Sequence, residues 1–205
     1  LARKIGCDIG LSSINAELNT SPLIHTTDCD VRLPRDYFDP KLPEGAAALL
    51  YRFRHVPSGD SKLDEAHIKY EVFLRYYVLG LRYAGSPYGF HTIGSCIAID
   101  PLSYARVRGI PKREAGEDFY LLNKLAKVGP IAVADSDAIN IHARHSLRVP
   151  FGTGRSTYEL YHSSDPYQIY NPRIFDLLKA WLSAASVLEE SESSRAYSEI
   201  FERAC

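Results

Sequence analysis

Two aspartates separated by one residue, Asp28 and Asp30, follow a short β-favouring run from Leu23 to Thr27. Side chains alternate along a strand, so we expect the two carboxylates to point the same way where the strand ends. A hard divalent cation such as Mg²⁺ or Mn²⁺ prefers oxygen ligands and is often held by one or two carboxylates, with water and phosphate oxygens completing its shell. The spacing therefore predicts a cation site for a diphosphate-bearing substrate; the alternative is a pair of turn or capping aspartates.

A second acidic pair, Glu117 and Asp118, precedes a helical pattern marked by Phe119, Leu122 and Leu125. Acids in the first turn of a helix interact favourably with the helix dipole without any chemical role. A carboxylate within hydrogen-bonding reach of a hydroxyl can also act as a general base. Position in the sequence leaves both interpretations open.

Cations and glycines are concentrated after residue 142. Arg144, Arg148 and Arg155 could hold a diphosphate or an anionic acceptor through their guanidinium groups, although a solvated loop has the same composition. His142 ends the alternating run that begins at Ile139, and it is a candidate further ligand for the cation, the alternative being a structural histidine.

The elements that must position these groups can be read from hydrophobic periodicity. One helix is predicted from Ser61 to about Tyr83, and another begins after Asn171-Pro172, breaks at 191–194 and is followed by a short terminal helix. Strands are predicted over 46–56, 97–99 and 131–134. The small residues Gly94 and Ser95, just before the second of these strands, are typical of backbone that passes close beneath a ligand, and both are candidate substrate-binding residues.

Composition excludes several classes of protein. The chain has 205 residues, 45% of them hydrophobic and 24% charged, which suits one α/β domain with a sizeable core. A formal net charge of -1 gives no global attraction to nucleic acid. The sequence contains no apolar stretch of about 18 residues, so no transmembrane segment is predicted. The four cysteines lack zinc-site spacing and disulfide density, which indicates reduced thiols in a cytoplasmic protein, or one that associates with a membrane through segments outside this sequence. The sequence starts without an initiator and contains no methionine, so we interpret it as a fragment of a longer protein.

Four motifs occur in a suggestive order: Ala2-Arg3-Lys4-Ile5-Gly6, Thr27-Asp28-Cys29-Asp30, Gly94-Ser95-Cys96-Ile97-Ala98-Ile99 and Gly116-Glu117-Asp118-Phe119. Together they resemble the acceptor-side half of a family 2 glycosyltransferase with the GT-A fold. The resemblance covers about residues 1–155. It implies an α/β fold in which helices flank a GT-A-like mixed sheet, without the N-terminal nucleotide-binding strands, and with 156–205 as a helical C-terminal extension packed on it.

The same resemblance implies roles for the two acidic motifs. Asp28 and Asp30 would hold Mn²⁺ or Mg²⁺ on the diphosphate of a nucleotide-sugar donor. Asp118 would deprotonate the hydroxyl of a carbohydrate or other acceptor, with Glu117 as its neighbour or substitute. The predicted function is metal-dependent, inverting sugar transfer. The alternatives are a nucleotidyltransferase of related architecture, or a sugar- or partner-binding module that has lost donor binding.

Overall fold

The structure is a computed structural model that describes residues 2–14, 23–113, 115–144, 152–163 and 167–204, with side chains described as far as residue 188. Within these ranges the protein is mixed α/β, as predicted. The described residues form six helices: α1 (Ala2–Ser13), α2 (Ser61–Tyr83), α3 (Pro101–Arg106), α4 (Glu117–Leu125), α5 (Thr153–His162) and α6 (Arg173–Ala204). None of them is long and apolar enough to cross a membrane.

Seven strands in the described ranges form two mixed sheets: β1 (Ile24–Thr26), β2 (Val31–Arg32), β3 (Ala48–Leu50), β4 (Phe53–Val56), β5 (Ile97–Ile99), β6 (Ile131–Val133) and β7 (Ile139–His142). The larger sheet has the order β1-β5-β3-β6, in which β5 runs antiparallel to β1 and β3, and β6 runs parallel to β3. The smaller sheet has the order β2-β7-β4, with β2 antiparallel and β4 parallel to β7.

The two central strands of the larger sheet, β5 and β3, are buried on both faces. Along β3, Ala48 and Leu50 belong to a core cluster that includes residues of α1, α3 and α4, whereas Leu49 between them belongs to a second cluster with Tyr37 and Phe53. Because both faces are covered, the strand reads as a continuous apolar run rather than as an alternating one.

The single half-buried strand predicted over 46–56 is wrong. The segment forms β3 in one sheet and β4 in the other, with Tyr51 and Arg52 between them. Tyr51 is 3% exposed, and its hydroxyl donates a hydrogen bond of 2.5 Å to the carbonyl of Tyr37. Neither Tyr51 nor Arg52 is a typical turn residue, so nothing in the sequence marks the change of sheet.

The helix predicted from Ser61 to Tyr83 is confirmed as α2. The break predicted at 191–194 is wrong, because α6 continues to Ala204. No glycine or proline lies between 173 and 204, and serine lowers helix propensity only modestly. The start of α6 follows expectation, since the Asn171 side chain accepts a hydrogen bond of 3.0 Å from the backbone N–H of Arg173.

The chain divides into two compact units. The first comprises Leu1–Leu74 and Phe90–Tyr167 and contains both sheets. The second comprises Arg75–Gly89 and Gln168–Cys205. Within the second unit, the ring of Phe175 fills the place of a side chain at Gly80, and Tyr83 donates a hydrogen bond of 2.9 Å to Asp176. All of the predicted site residues that the structure describes belong to the first unit.

Candidate active site

The position of Arg3, in the first turn of α1, is fixed by the packing of that helix. Cys7 is buried in the core beneath the larger sheet, and burial raises the pKa of its thiol to about 11. Asp8 accepts hydrogen bonds of 2.7 Å from the Lys4 ammonium group and 2.7 Å from the Tyr104 hydroxyl group of α3. These contacts orient α1 so that the Arg3 guanidinium group lies at the end of strand β1.

Arg3 joins the two acidic motifs that the sequence singles out. Its Nη2 atom lies 2.9 Å from Oδ1 of Asp28, and its Nη1 atom lies 3.2 Å from Oε1 of Glu117. A guanidinium group presents several donors in one rigid plane, so a single arginine can hold two carboxylates in a fixed relation. The Asp28 motif and the start of α4 are therefore neighbours in space, one guanidinium group apart.

The turn before β5 completes this arrangement. A Cβ atom at Gly94 would collide with the Arg3 guanidinium group, so the absence of a side chain is what lets Arg3 lie there. The Thr26 hydroxyl donates a hydrogen bond of 2.7 Å to the Gly94 carbonyl, which ties the end of β1 to this turn. The next residue, Ser95, is only 3% exposed and is therefore not an open contact surface.

Asp118 sits beside Glu117 in the first turn of α4, and both residues are half-buried. Burial raises the pKa of its carboxyl group, and the negative charge of Glu117 contributes in the same direction. The backbone N–H of Phe119, 2.8 Å from Oδ1, and the cation of Arg3 act in the opposite direction. A carboxylate with a raised pKa is a stronger proton acceptor when ionised, which suits a general base. Burial also raises the pKa of Tyr70, and the charge of Asp118 contributes to that shift as well.

Asp30 has different surroundings. It lies in the turn between β1 and β2, and its carboxylate forms a charge-assisted hydrogen bond with Nε of Arg144. The backbone N–H of His142 donates to the Asp30 carbonyl at 3.4 Å, so the two residues are adjacent, and the His142 side chain is exposed. The structure thus brings three predicted site residues together at the end of the smaller sheet.

The other two predicted arginines are not part of either arrangement. Arg155 lies in α5 and pairs with Glu159 one turn away, at 2.6 Å. Such exposed pairs within a helix contribute little to stability or to a site. Arg148 lies outside the described residues.

A cleft of about 290 Å³ opens beside Arg3 and Glu117. The described residues of its lining are four cations, one acid and two apolar residues: Arg3, Lys4, Lys112, Arg113, Glu117, Ile110 and Pro111. Arg113 lies over the ring of Tyr120, 4.6 Å from its centroid. Sequence reasoning gave no role to Lys112 or Arg113, because two cations in a loop cannot be told from an ordinary solvated surface without the fold.

The donor set at Asp28 and Asp30 fits a hard cation. Both groups are carboxylates, and their side chains are 44% and 27% exposed, so they are accessible to an incoming ion. Among the described residues there is no group of three or more His, Cys, Asp or Glu side chains arranged to hold a metal ion. A cation bound here would need other oxygen ligands, such as water and substrate phosphate, and would compete with Arg3 and Arg144 for the two carboxylates.

Comparison with known proteins adds no assignment. No protein-family model matches the chain, and no curated protein or solved structure matches it either. The resemblance to family 2 glycosyltransferases therefore stays a prediction from the four motifs. Its functional content is taken up below as a proposal.

Proposed function

We propose that this chain is the acceptor-side part of a GT-A-like glycosyltransferase that moves a sugar from a nucleotide-diphosphate donor to an acceptor hydroxyl. The observation that carries the proposal is the contact of one arginine, Arg3, with both Asp28 and Glu117, over the bare backbone of Gly94. Asp28, Gly94 and Glu117 come from three of the four motifs that suggested the family. All three lie next to the side chain of Arg3, which belongs to the fourth motif. The mixed sheet flanked by helices is consistent with the same proposal.

Asp118 is the proposed general base. In an inverting transfer, the acceptor oxygen forms a bond to the anomeric carbon while the bond from that carbon to the diphosphate oxygen breaks. The electron pair of the broken bond leaves with the diphosphate, and the hydroxyl proton passes to a carboxylate oxygen of Asp118. Burial keeps this carboxylate poorly hydrated and so favours its uptake of the proton.

Asp28 and Asp30 are the residues that would hold Mg²⁺ or Mn²⁺, with His142 as a further candidate ligand. The ion would supply stabilisation of the negative charge on the departing phosphate. Arg3 and Arg144, which neutralise the two carboxylates in the structure, would be released to interact with phosphate oxygens.

The test is donor hydrolysis by the full-length protein. We expect a sugar transferase to release free nucleotide slowly from its donor when water replaces the acceptor. Nucleotide sugars with different bases and sugars are incubated with the protein and Mn²⁺, and released nucleotide is quantified by chromatography. Release that depends on Mn²⁺ and is lost in Asp28→Ala supports the proposal. Failure to bind any nucleotide sugar would contradict the proposal and favour a binding module that has lost donor binding. Donor binding without any release, with or without added acceptors, would contradict the transferase activity.

A further inference from the structure

The cleft between α1, the loop before α4 and the start of α4 has an unusual charge distribution for this protein. Arg3, Lys4, Lys112 and Arg113 line it, and Glu117 is the one acid among the described residues of its lining. The whole chain has a formal net charge of -1, so the concentration of cations is local and does not follow from a basic composition. A surface that gathers like charges raises its own free energy unless an anion binds there.

The cations of the cleft are only partly neutralised by the described residues. Arg3 shares its charge between Asp28 and Glu117, and Lys4 pairs with Asp8 at 2.7 Å. Lys112 and Arg113 are exposed, and neither forms an ion pair with a carboxylate in the ranges that the structure describes. Arg113 lies over the ring of Tyr120, 4.6 Å from its centroid, a contact that supplies no counter-ion. No described carboxylate therefore neutralises either cation.

A further lysine close by responds to the same field. Lys124 donates a hydrogen bond of 3.0 Å to the carbonyl of Gly109. Its pKa is lowered, first by burial and then by the neighbouring cations Lys4 and Arg108. Lys124 is therefore a further cation within electrostatic reach of Lys4, a residue of the cleft lining.

The size of the cleft limits the guest. Its volume of about 290 Å³ is at the lower end of the roughly 300–1,000 Å³ usual for small-molecule sites. Such a space suits a phosphate with a sugar-sized group and is small for a whole nucleotide sugar. The negative charge of Glu117, which directly precedes Asp118 in α4, disfavours a phosphate next to it.

We propose that this cleft binds the acceptor, and that the acceptor carries a phosphate group held by Lys112, Arg113 and Lys4. The inference rests on the proposed function, because Glu117 and its neighbour Asp118 are what make the cleft an acceptor site. The phosphate would receive charge-assisted hydrogen bonds from the cations, and the hydroxyl end of the acceptor would then face the acidic pair. The phosphate could belong to a water-soluble sugar phosphate or to a lipid headgroup.

The experiment measures binding without requiring transfer. Glucose 6-phosphate is titrated into the full-length protein by calorimetry, with glucose as the neutral counterpart. Co-sedimentation with phosphatidylcholine vesicles, with or without phosphatidic acid, tests the lipid source. The variant Lys112→Glu/Arg113→Glu reverses two cleft charges on exposed side chains, and Lys127→Glu/Arg106→Glu makes the same charge change at exposed positions outside the cleft.

We expect binding of one phosphate probe to fall at least roughly tenfold in the cleft variant and to stay within about twofold of wild type in the control variant, since charged hydrogen bonds contribute most of the affinity. Binding of glucose 6-phosphate would assign a soluble acceptor, and binding confined to phosphatidic acid vesicles would assign a lipid-linked one. Lys112→Ala/Arg113→Ala, with thermal melting compared with that of wild type, separates loss of binding from loss of fold.

Three results would overturn the inference: no binding of either phosphate probe, equal binding of glucose and glucose 6-phosphate, or equal losses in the cleft and control variants. These results are distinct from failure of the proposed function. If donor hydrolysis proceeds normally while the cleft binds no phosphate, only the acceptor assignment is wrong. If the cleft binds phosphate but no nucleotide sugar is bound or hydrolysed, the transferase proposal is wrong and the anion site stands by itself.

Discussion

The two aspartates of the Asp-x-Asp motif are separated by one residue but belong to two different environments. Asp28 follows β1 of the larger sheet and shares Arg3 with Glu117 at the start of α4. Asp30 precedes β2 of the smaller sheet and pairs with Arg144, next to His142. The connection between β1 and β2 therefore places one carboxylate at each sheet, and each has its own arginine.

The spacing of the Asp-x-Asp motif is therefore not enough by itself to form a cation site. At Asp28, the arginine also contacts the acidic helix, so a change there is transmitted toward Asp118. At Asp30, the arginine contact does not extend to α4 in the described residues. We therefore expect substitutions on the Asp28 side to alter base catalysis and cation binding together, and those on the Asp30 side to alter cation binding alone.

The largest effect is expected at Asp118. Asp118→Asn keeps an oxygen that can accept from the N–H of Phe119 but removes the proton acceptor, so transfer should fall by about 10²–10⁴-fold. Mn²⁺-dependent donor binding, measured by calorimetry, should be nearly unchanged. Transfer at a rate close to that of wild type would show that the base is a different residue, and Glu117→Gln then becomes the next variant to assay.

Cation binding provides the next comparison. Asp28→Ala and Asp30→Ala should each weaken Mn²⁺-dependent nucleotide binding by roughly tenfold or more, because a hard cation held by two carboxylates loses half of its charged ligands. Calorimetric titration of the nucleotide with and without Mn²⁺ measures this directly. Unchanged affinity in Asp30→Ala would leave Asp30 as the structural partner of Arg144, and the cation site would then be confined to the Asp28 side.

Gly94 allows the junction to be disturbed without removing a charge. In Gly94→Ala the new methyl group must displace the Arg3 guanidinium group, which is the flexible end of its side chain, so we expect the fold to persist and the rate of transfer to fall about tenfold. The matched control is Gly6→Ala in α1, where a Cβ meets nothing within 4 Å and alanine favours the helix by up to about 1 kcal/mol. Steady-state rates and melting temperatures of both variants check the prediction. A fully active Gly94→Ala protein would show that the placement of Arg3 is incidental.

The sequence predicts best those elements whose apolar residues all face one surface. Helix α2 has a single apolar stripe and was predicted at its full length. The change from β3 to β4 was missed because it depends on which sheet each half joins, and Tyr51 at the change is as buried as the strand residues before it. Periodicity reports burial, and it does not report which neighbour supplies it.

The candidate site shows the same limit for charges. The sequence identifies Asp28, Glu117 and Asp118 by their spacing, but Arg3 received no role although it lies in a motif that suggested the family. An arginine on a half-exposed helix has many possible partners, and only the packing of Cys7 and the bond between Asp8 and Tyr104 determine which one it meets. For the same reason the sequence did not indicate a role for Lys112 and Arg113, because their cleft exists only where α1 lies beside their loop.

The pH dependence of transfer can separate the two arginines. The Arg3 cation acts to lower the pKa of Asp118, so its removal in Arg3→Gln should raise that pKa. Because the base works in its ionised form, the acid limb of the kcat/KM profile should move to higher pH. Arg144→Gln, which loses a contact to Asp30 instead, should leave the limb in place. Equal shifts in both variants would mean that the two halves of the Asp-x-Asp motif are electrostatically equivalent.

The smallest effect concerns stability, and it tests whether Asp118 is there for the helix dipole or for chemistry. Burial raises the pKa of Asp118 in the folded protein, so its stabilising contribution is present below the ordinary pKa of aspartate, about 3.9, and is lost as pH rises through the folded-state pKa. At pH 7 the folded protein therefore bears the cost of burying an ionised carboxylate, and Asp118→Asn removes that cost. The variant should be slightly more stable than wild type at pH 7, with the difference disappearing near pH 4, as measured by urea unfolding. A carboxylate placed for the dipole would give the opposite sign, a loss of about 0.3–1 kcal/mol at pH 7.

Glu117→Gln is the internal comparison, because it loses the ion pair with Arg3 and should be destabilised by about 0.2–1 kcal/mol at pH 7. Opposite signs for adjacent acids would show that Glu117 stabilises the junction while Asp118 is kept there at a cost in stability.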